Sequence, residues 1–226
     1  MIPWKLLSTA KTPDTKGELK LYQRDSEYSI RVNGAELMNS RLFGSEKMLA
    51  ELSCVEIAHK KNACVLIGGL GMGYTLSAAL ASLNSDADVR VVELVPSVVA
   101  WNQGVLGMLS GFPLRDPRVT VLVDDVVQVI KRNTSSFDAI LLDVDNGPDC
   151  LTQESNDALY SLGGLFMIRD ALRPGGVVAV WSASPDPGFT KTLQKASFYV
   201  IDKKVRAGAR NKGPFHTIWI AKKKNG

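Results

Sequence analysis

The residues best suited to chemistry lie in a glycine-rich segment between an apolar run and a helical stretch, Cys64-Val-Leu-Ile-Gly68-Gly69-Leu-Gly71-Met-Gly73-Tyr74. Glycines permit tight turns with positive φ and close approach of a ligand, and the following helix offers free N–H groups. Glu93 stands 20 residues after Gly73, at the end of the next apolar run, where a carboxylate can accept both hydroxyls of a ribose. The order strand, glycines, helix, strand, acid predicts a nucleoside-type ligand. The alternative is that the glycines only make a strand–helix turn and Glu93 is a surface charge.

The spacing of the glycines narrows the ligand class. Gly69, Gly71 and Gly73 follow a G-x-G-x-G pattern, and the third glycine of the dinucleotide fingerprint is missing. A phosphate-binding loop would need Gly-Lys followed by Ser or Thr, which the segment does not contain. The segment therefore favours a nucleoside ligand over a dinucleotide or a nucleoside triphosphate.

A second group of candidates consists of acidic residues that follow apolar runs. Parallel strands present their carboxyl ends at one edge of a sheet, where open α/β sheets bind ligands. Acids gathered there would attract a cationic ligand. Turn formation is the alternative for Asp145 and Asp149, and helix N-capping is the alternative for Asp124. The acids expected at this edge are Glu93, Asp124, Asp125, Asp143, Asp145 and Asp149.

The elements that must position these residues follow from hydrophobic periodicity. Residues 1–16 have no period and are expected to be a loose lead-in, and residues 17–40 alternate as strands around an Asn33-Gly34 hairpin signal. A helix is expected over 45–59, followed by apolar runs that alternate with helical stretches. Arg173-Pro-Gly-Gly176 is expected to end a helix spanning 153–172, and Ala207–Pro214 to join two final strands.

Apolar runs that are nearly continuous and separated by helices are typical of a parallel sheet buried on both faces. The fold class is therefore α/β, with a doubly wound, mostly parallel seven-stranded sheet that ends in an antiparallel hairpin. We expect residues 1–44 to form the lead-in and a small β extension, and residues 45–226 to form the Rossmann-like nucleoside-binding domain.

Composition excludes several functional classes. The chain is 45% apolar and 22% charged, which argues against wholesale disorder and a multi-span membrane protein. A formal net charge of +4 is too small for a dedicated nucleic-acid binder. The basic final hairpin and tail are interpreted as solvated, with a patch for an anionic acceptor as the alternative. His59 and His216 are far apart, so no metal site is expected.

The three cysteines are expected to be free thiols, and the first residues lack the apolar core of a signal peptide. We therefore expect a cytoplasmic protein that does not interact with a membrane.

From about residue 17 to 205 the sequence resembles the class I S-adenosylmethionine-dependent methyltransferase superfamily, and within it the spermidine synthase-like branch. The resemblance implies S-adenosylmethionine, or its decarboxylated form, as cofactor, no metal, and a homodimer. It assigns Asp143, in Phe137-Asp-Ala-Ile-Leu-Leu-Asp143, as the catalytic residue that orients or deprotonates the acceptor. Trp101 and Trp181 are both expected in the core, and Trp101 is the one for which a place beside the adenine is the alternative. The cofactor-binding residues that it implies are Gly68, Gly69, Gly71, Gly73, the ribose-binding Glu93, and Asp124 with the adenine-contacting Asp125; the acceptor-binding residues are Asp145 and Asn146.

Three positions depart from the branch. Spermidine synthases carry an Asp where this chain has Gly71, a second Asp where it has Asn146, and a Tyr-His pair where it has Ser45-Glu46. Features directed at the polyamine are lost, and those directed at the nucleoside are kept. The sequence therefore favours methyl transfer to an unidentified small acceptor, which the acids suggest is cationic, by in-line displacement at the sulfonium-linked carbon. Aminopropyl transfer from decarboxylated S-adenosylmethionine is the alternative, and a non-catalytic nucleoside-binding protein is the second alternative.

Overall fold

A four-stranded antiparallel sheet forms the N-terminal part of the protein. The structure is a computed structural model, and it describes residues 2–12, 17–144, 158–208 and 212–224. The sheet has the order β1-β2-β3-β4. Its strands are β1 (Lys5–Lys11), β2 (Glu18–Arg24), β3 (Glu27–Val32) and β4 (Ala35–Asn39).

The turn between β3 and β4 has the geometry that its sequence predicts. Asn33 and Gly34 have φ values of 49° and 86°, and Val32 pairs with Ala35 across the turn. Two successive residues with positive φ match the right-handed twist of a two-residue hairpin, and Asn-Gly is the pair that adopts it at least cost.

The expectation of a loose lead-in over residues 1–16 is wrong for residues 5–11, which form β1 and pair with β2. The register shifts between Leu6 and Ser8, so the side chains on the two sides of the bulge do not keep a period of two. Because the bulge interrupts the alternation of side chains, the sequence shows no strand pattern here, and β1 is recognised only from its pairing with β2.

The second sheet has seven strands in the order β10-β11-β9-β8-β5-β6-β7. The five strands from β9 to β7 are parallel, and β11 pairs antiparallel with β9 and with β10. This confirms the predicted sheet with its terminal antiparallel hairpin. Its strands are β5 (Cys64–Gly68), β6 (Asp88–Glu93), β7 (Val119–Val123), β8 (Phe137–Leu142), β9 (Leu172–Ser182), β10 (Phe198–Gly208) and β11 (Lys212–Lys223).

Helices cover both faces of this sheet, and two hydrophobic clusters lie between the layers. Every residue of β5 and β8 is buried, as expected for central parallel strands covered on both faces. The helices are α1 (Gly44–Cys54), α2 (Tyr74–Ser82), α3 (Pro96–Gln103), α4 (Gly107–Ser110), α5 (Val126–Lys131), α6 (Leu162–Ala171) and α7 (Pro187–Lys195), with short 3-10 turns at Val55–Ile57 and Pro113–Arg115.

Two predicted boundaries are wrong. The segment expected to be a turn, 173–176, lies inside β9, where the register shifts: Leu172 pairs with Phe137 and Val177 pairs with Ala139. Gly175, at φ 68°, absorbs the extra length, so the turn signal marks an irregularity within a strand. The loop expected over 207–214 is also shorter, because β10 continues to Gly208 and β11 starts at Lys212.

Within the described ranges, no helix combines the length and the apolar character needed to cross a bilayer.

Candidate active site

The carboxyl ends of the parallel strands open into a cavity of about 370 Å³. Backbone hydrogen bonds join the first residues beyond the strands: Asp143 N–H donates to the Gly68 carbonyl at 2.9 Å, and Gly69 N–H donates to the Val92 carbonyl at 2.9 Å. The ends of β8, β5 and β6 are thereby fixed side by side. This is the edge at which open α/β sheets bind ligands.

The glycine loop needs glycine for backbone reasons. Gly69 has φ 88°, and a Cβ there would overlap the carbonyl oxygen of Asp143. Gly73, at φ 80°, precedes α2, and its N–H donates to the Leu70 carbonyl at 2.8 Å. The loop therefore turns directly against the end of β8 and leaves its outer side open to the cavity.

Glu93 lies across the glycine loop and is held by backbone donors. Its Oε2 accepts from Leu70 N–H at 3.1 Å and its Oε1 from Val95 N–H at 2.9 Å. Each carboxylate oxygen can accept a second hydrogen bond. Glu93 is therefore held by two backbone donors at the edge of the cavity, which it lines.

Asp124 and Asp125 follow β7 and also line the cavity. Asp125, not Asp124, caps helix α5, because its Oδ1 accepts from Val127 N–H at 2.8 Å. Asp124 accepts from Asp125 N–H at 2.8 Å and pairs with Arg132 at 2.8 Å. Both carboxylates are anchored by the start of α5, which fixes their position at the rim.

Asp143 comes directly after β8, and its Oδ2 accepts from Thr75 Oγ1 at 2.6 Å. Thr75 is buried in the first turn of α2. The helix that starts at the glycine loop therefore also orients the predicted catalytic carboxylate.

A second carboxylate, Glu46, reaches the cavity from the first turn of α1 and is 9% exposed. Its Oε2 accepts from Ser45 Oγ at 3.0 Å, and Ser45 Oγ lies 2.9 Å from His216 Nδ1 on β11. The His216 ring packs edge-on against Trp181 at 4.8 Å between centroids. Glu46, Trp181 and His216 all line the cavity beside Asp143.

The environment of this cluster changes its acid–base properties. Burial, and then repulsion by the Asp143 carboxylate, raises the pKa of Glu46 to about 8. Burial lowers the pKa of His216. A carboxyl group whose pKa is raised and an imidazole whose pKa is lowered are thus linked through one hydroxyl, and burial favours the neutral form of both.

The N-terminal sheet supplies the opposite wall. Met38 on β4 fills the space beside Gly71, where a Cβ would lie 2.6 Å from Met38 Cε and 3.1 Å from its Sδ. Tyr74 stacks on Phe43 at 4.6 Å between centroids, which ties the start of α2 to the segment before α1. The β extension is therefore part of the site.

The structure brings most of the predicted site residues to one cavity: Gly69, Gly71, Glu93, Asp124, Asp125 and Asp143. Gly68 and Gly73 do not line it. They shape the loop, since a Cβ at Gly68 would lie 2.8 Å from Val126 Cγ2. Asp145 and Asn146 lie outside the described residues, as do Asp149 and Cys150.

The core position expected for both tryptophans is confirmed for Trp101, which is 7% exposed and belongs to the hydrophobic core; its suggested place beside the adenine is wrong. Trp181 packs against the core but also lines the cavity. Both lie in regular elements, and the sequence does not distinguish a core face from a cavity face.

Sequence reasoning also missed Glu46 and His216. Glu46 had a signal, because Glu46, Leu49, Ala50 and Ser53 form the buried face of α1 at the spacing i, i+3, i+4, i+7. A carboxylate on a buried helix face needs a partner or a function. His216 had no such signal, since its neighbours become known only when β11 inserts between β9 and β10.

The lining is strongly acidic. No Lys or Arg of the described chain lines the cavity, and the described residues hold no cluster of His, Cys, Asp and Glu side chains suited to a metal ion. A small cationic nucleoside such as a sulfonium fits this set of residues: glycines allow close approach, Glu93 faces the loop, and acids surround the rest. The carboxylates of the lining are Glu36, Glu46, Glu93, Asp124, Asp125 and Asp143.

Solved structures share this fold. Spermidine synthase from Thermotoga maritima superposes with a TM-score of 0.74 at 16% identity, covering 97% of this chain and 73% of that one. A spermidine synthase in complex with the transition-state analogue AdoDATO gives a TM-score of 0.73 at 17% identity, with the same coverage. At these identities the likeness shows the fold.

Sequence comparison gives the family. Polyamine aminopropyltransferase 2 of Pseudomonas aeruginosa is 33% identical over 135 residues, which cover 55% of this chain and 34% of that protein. Polyamine aminopropyltransferase of Mycobacterium tuberculosis is 28% identical over 155 residues, 67% of this chain and 28% of that protein. The chain thus spans about a third of the length of these curated relatives. The spermine/spermidine synthase domain matches residues 42–212, about three quarters of the sequence, and the chain belongs to this family.

Proposed function

We propose that this protein transfers the aminopropyl group of decarboxylated S-adenosylmethionine to a small cationic amine. The observation that carries the proposal is the cavity itself, whose charged side chains in the described chain are all carboxylates apart from the partly buried His216. Donor and acceptor of this reaction are both cations, and a site that lowers the energy of both before they meet must be acidic. The named activity of the relatives supports the same choice.

The donor's nucleoside would be held at the glycine loop. Gly69 and Gly71 permit close approach, Glu93 is the residue proposed to bind the ribose hydroxyls, and Asp125 at the start of α5 is the one proposed to contact the adenine; all four line the cavity. The bound donor supplies a sulfonium leaving group. The protein therefore needs only to align the acceptor with the carbon under attack and to provide for its proton.

Asp143 is the residue proposed to align the acceptor. Its carboxylate is oriented by Thr75 Oγ1 at 2.6 Å and follows β8 directly beside the glycine loop. A negative charge there holds an ammonium group next to the donor and directs its nitrogen. Asp145 and Asn146 stay candidates for binding the far end of the acceptor.

The residue at position 71 bears on the choice between aminopropyl transfer and methyl transfer. Methyl transfer, which the sequence favoured, rests on three departures from the branch, at Gly71, at Asn146 and at Ser45-Glu46. Met38 fills the space beside Gly71. The comparisons favour the other reaction. Aminopropyl transfer then requires another carboxylate of the lining to hold the donor's ammonium group.

Product mass tests the proposal. The full chain is incubated with putrescine and either decarboxylated or intact S-adenosylmethionine, with Asp143→Asn as the inactive control. The expected result is an acceptor heavier by one aminopropyl group with the decarboxylated donor only. A methylated acceptor, or binding of both donors with no turnover over a panel of amines, would overturn it.

A further inference from the structure

We propose that Glu46, Ser45 and His216 form a proton relay that removes the proton which the acceptor's ammonium group must lose before it attacks. This inference rests on the proposed function. It adds a proton acceptor, Glu46, that is distinct from Asp143, and a path through Ser45 to the partly exposed His216 on β11.

The contacts form an unbroken path. Glu46 Oε2 and Ser45 Oγ are 3.0 Å apart, and Ser45 Oγ and His216 Nδ1 are 2.9 Å apart. Both distances are within hydrogen-bond range. Ser45 is fully buried and its hydroxyl contacts a carboxylate on one side and an imidazole on the other, so it can accept a proton from one and donate its own to the other.

The two ends of the path have the exposure that a relay needs. Glu46 is 9% exposed and lines the cavity, so the proton enters from the acceptor and not from bulk water. His216 also lines the cavity and is partly exposed, so its ring can lose a proton to water. A relay whose first residue is shielded from water and whose last residue is partly exposed to it can move a proton without opening the site.

Asp143 and Glu46 have different surroundings, which supports a division of labour. Asp143 accepts a hydrogen bond of 2.6 Å from Thr75, which orients its carboxylate. Burial and the neighbouring Asp143 raise the pKa of Glu46 to about 8, so Glu46 is ionised and can accept a proton above that pH. Asp143 thus aligns the cation, and Glu46 takes its proton.

The proton balance of one turnover closes. The acceptor R–NH₃⁺ gives one proton to the Glu46 carboxylate and becomes R–NH₂, the nucleophile. Protonated Glu46 donates to Ser45 Oγ while the Ser45 hydroxyl proton passes to Nδ1 of neutral His216. The imidazolium then releases its Nε2 proton to water, which leaves the proton of His216 on Nδ1, while Glu46 and Ser45 are back in their starting states. Proton exchange with water returns the ring to the Nε2–H tautomer before the next turnover.

The charged groups around Glu46 do not interrupt this path. Asp143 after β8 and Tyr74 on α2 interact electrostatically with it, and His216 reaches it through Ser45. Arg206 on β10, a strand that also packs against α1, lies over the Phe215 ring at 3.5 Å from its centroid. The described neighbours thus place no cation where it would hold Glu46 permanently ionised.

The test compares turnover of Glu46→Gln, Ser45→Ala and His216→Gln with matched controls. Glu51→Gln changes an exposed carboxylate on the same helix, and His59→Gln changes the other histidine, which is exposed. We expect kcat to fall roughly 10²-fold for Glu46→Gln and about tenfold for His216→Gln, with methylthioadenosine affinity unchanged. The rise of kcat with pH in the wild type should disappear in Glu46→Gln.

Rescue separates proton transfer from structure. Added imidazole buffer should restore much of the kcat of His216→Gln and none of that of Glu46→Gln, because imidazole replaces the exit group but not the entry group. His216→Gln carries the test if Ser45→Ala does not fold. Wild-type kcat and pH profiles in all three variants, with the wild type active, would overturn the relay alone. A wild type that aminopropylates no amine would overturn the proposed function, and the relay with it.

Discussion

Strand β8 carries an aspartate near each end, and the two have opposite surroundings. Asp138, at the amino end, accepts from Lys60 at 2.8 Å, from Arg173 at 2.6 Å and from Cys64 N–H at 2.9 Å. Asp143, directly after the carboxyl end, is oriented by Thr75 and faces a cavity lined by other carboxylates. One aspartate is thus paired with cationic side chains at the amino end of the strand, and the other lies among carboxylates at the carboxyl end.

The electrostatic consequences differ accordingly. Burial alone would raise the pKa of Asp138, but the hydrogen bond from Lys60 and its other partners hold it below the usual value. At the other end, Asp143 adds to the burial that raises the pKa of Glu46. The amino end of the sheet thus gains stability from its charges, whereas the carboxyl end keeps unfavourable charges that a cationic ligand would neutralise.

The largest expected effect is on activity at the carboxyl end. Asp143→Asn removes the charge that aligns the acceptor, and we expect kcat to fall about 10²- to 10⁴-fold. Unfolding free energy should change by less than about 1 kcal/mol, since Asn still accepts from Thr75. Steady-state kinetics and chemical denaturation measure the two quantities. Unchanged turnover would remove Asp143 from the mechanism.

Gly69→Ala tests how closely the glycine loop is fitted to the end of β8. Positive φ costs an alanine about 1–2 kcal/mol, and overlap with the Asp143 carbonyl should add about 1–3 kcal/mol. Gly34→Ala is the matched control, with φ 86° against 88° and no atom within 4 Å of its Cβ. Denaturant unfolding of both variants gives the comparison. If both variants lost the same free energy of unfolding, backbone strain and not contact with the Asp143 carbonyl would be the reason for glycine at position 69.

Asp138→Asn should show the reverse of Asp143→Asn. Losing the charge opposite Lys60 and Arg173 is expected to cost about 2–3 kcal/mol of unfolding free energy, while kcat per folded molecule stays as it was. The contribution of Asp138 is present above the usual pKa of 3.8 and is lost as pH falls through its lowered folded-state pKa. Acid denaturation followed by circular dichroism should therefore begin at higher pH in Asp138→Asn. A loss of activity as large as that of Asp143→Asn would break the contrast between the two ends.

The stability of the protein is also expected to depend on pH. The folded state binds a proton at Glu46 up to about pH 8, whereas the unfolded state loses it near 4.5. The free energy of unfolding should therefore fall as pH rises between these values. Glu46→Gln should flatten the fall between pH 5 and 8, and Glu51→Gln should not. Thermal midpoints at several pH values give the measurement, and parallel curves for both variants would show that Glu46 titrates normally.

The sequence predicted those elements that are specified by residues adjacent to one another in the chain. Asn33-Gly34 specifies its turn, and the apolar runs of β5 and β8 specify buried parallel strands. β1 could not be predicted, because the register shift at Leu6 and Ser8 removes its alternation. No local pattern in the sequence predicts that the N-terminal sheet forms a wall of the cavity beside the glycine loop.

The sequence by itself determined which residues meet at the carboxyl edge of the parallel strands. The glycine loop, Glu93 and Asp143 each lie at or directly beyond the carboxyl end of a parallel strand, and parallel strands bring such positions to one edge. Their convergence follows from chain order alone.

Only the tertiary structure decided the contacts among Glu46, Ser45 and His216. Ser45 and His216 are 171 residues apart in the chain, and they meet because β11 inserts antiparallel between β9 and β10 while α1 packs across the strand ends. The protonation of Glu46 depends on how much water and charge surround it. Burial and proximity to Asp143 are properties of the packed molecule, and no spacing of residues in the sequence specifies them.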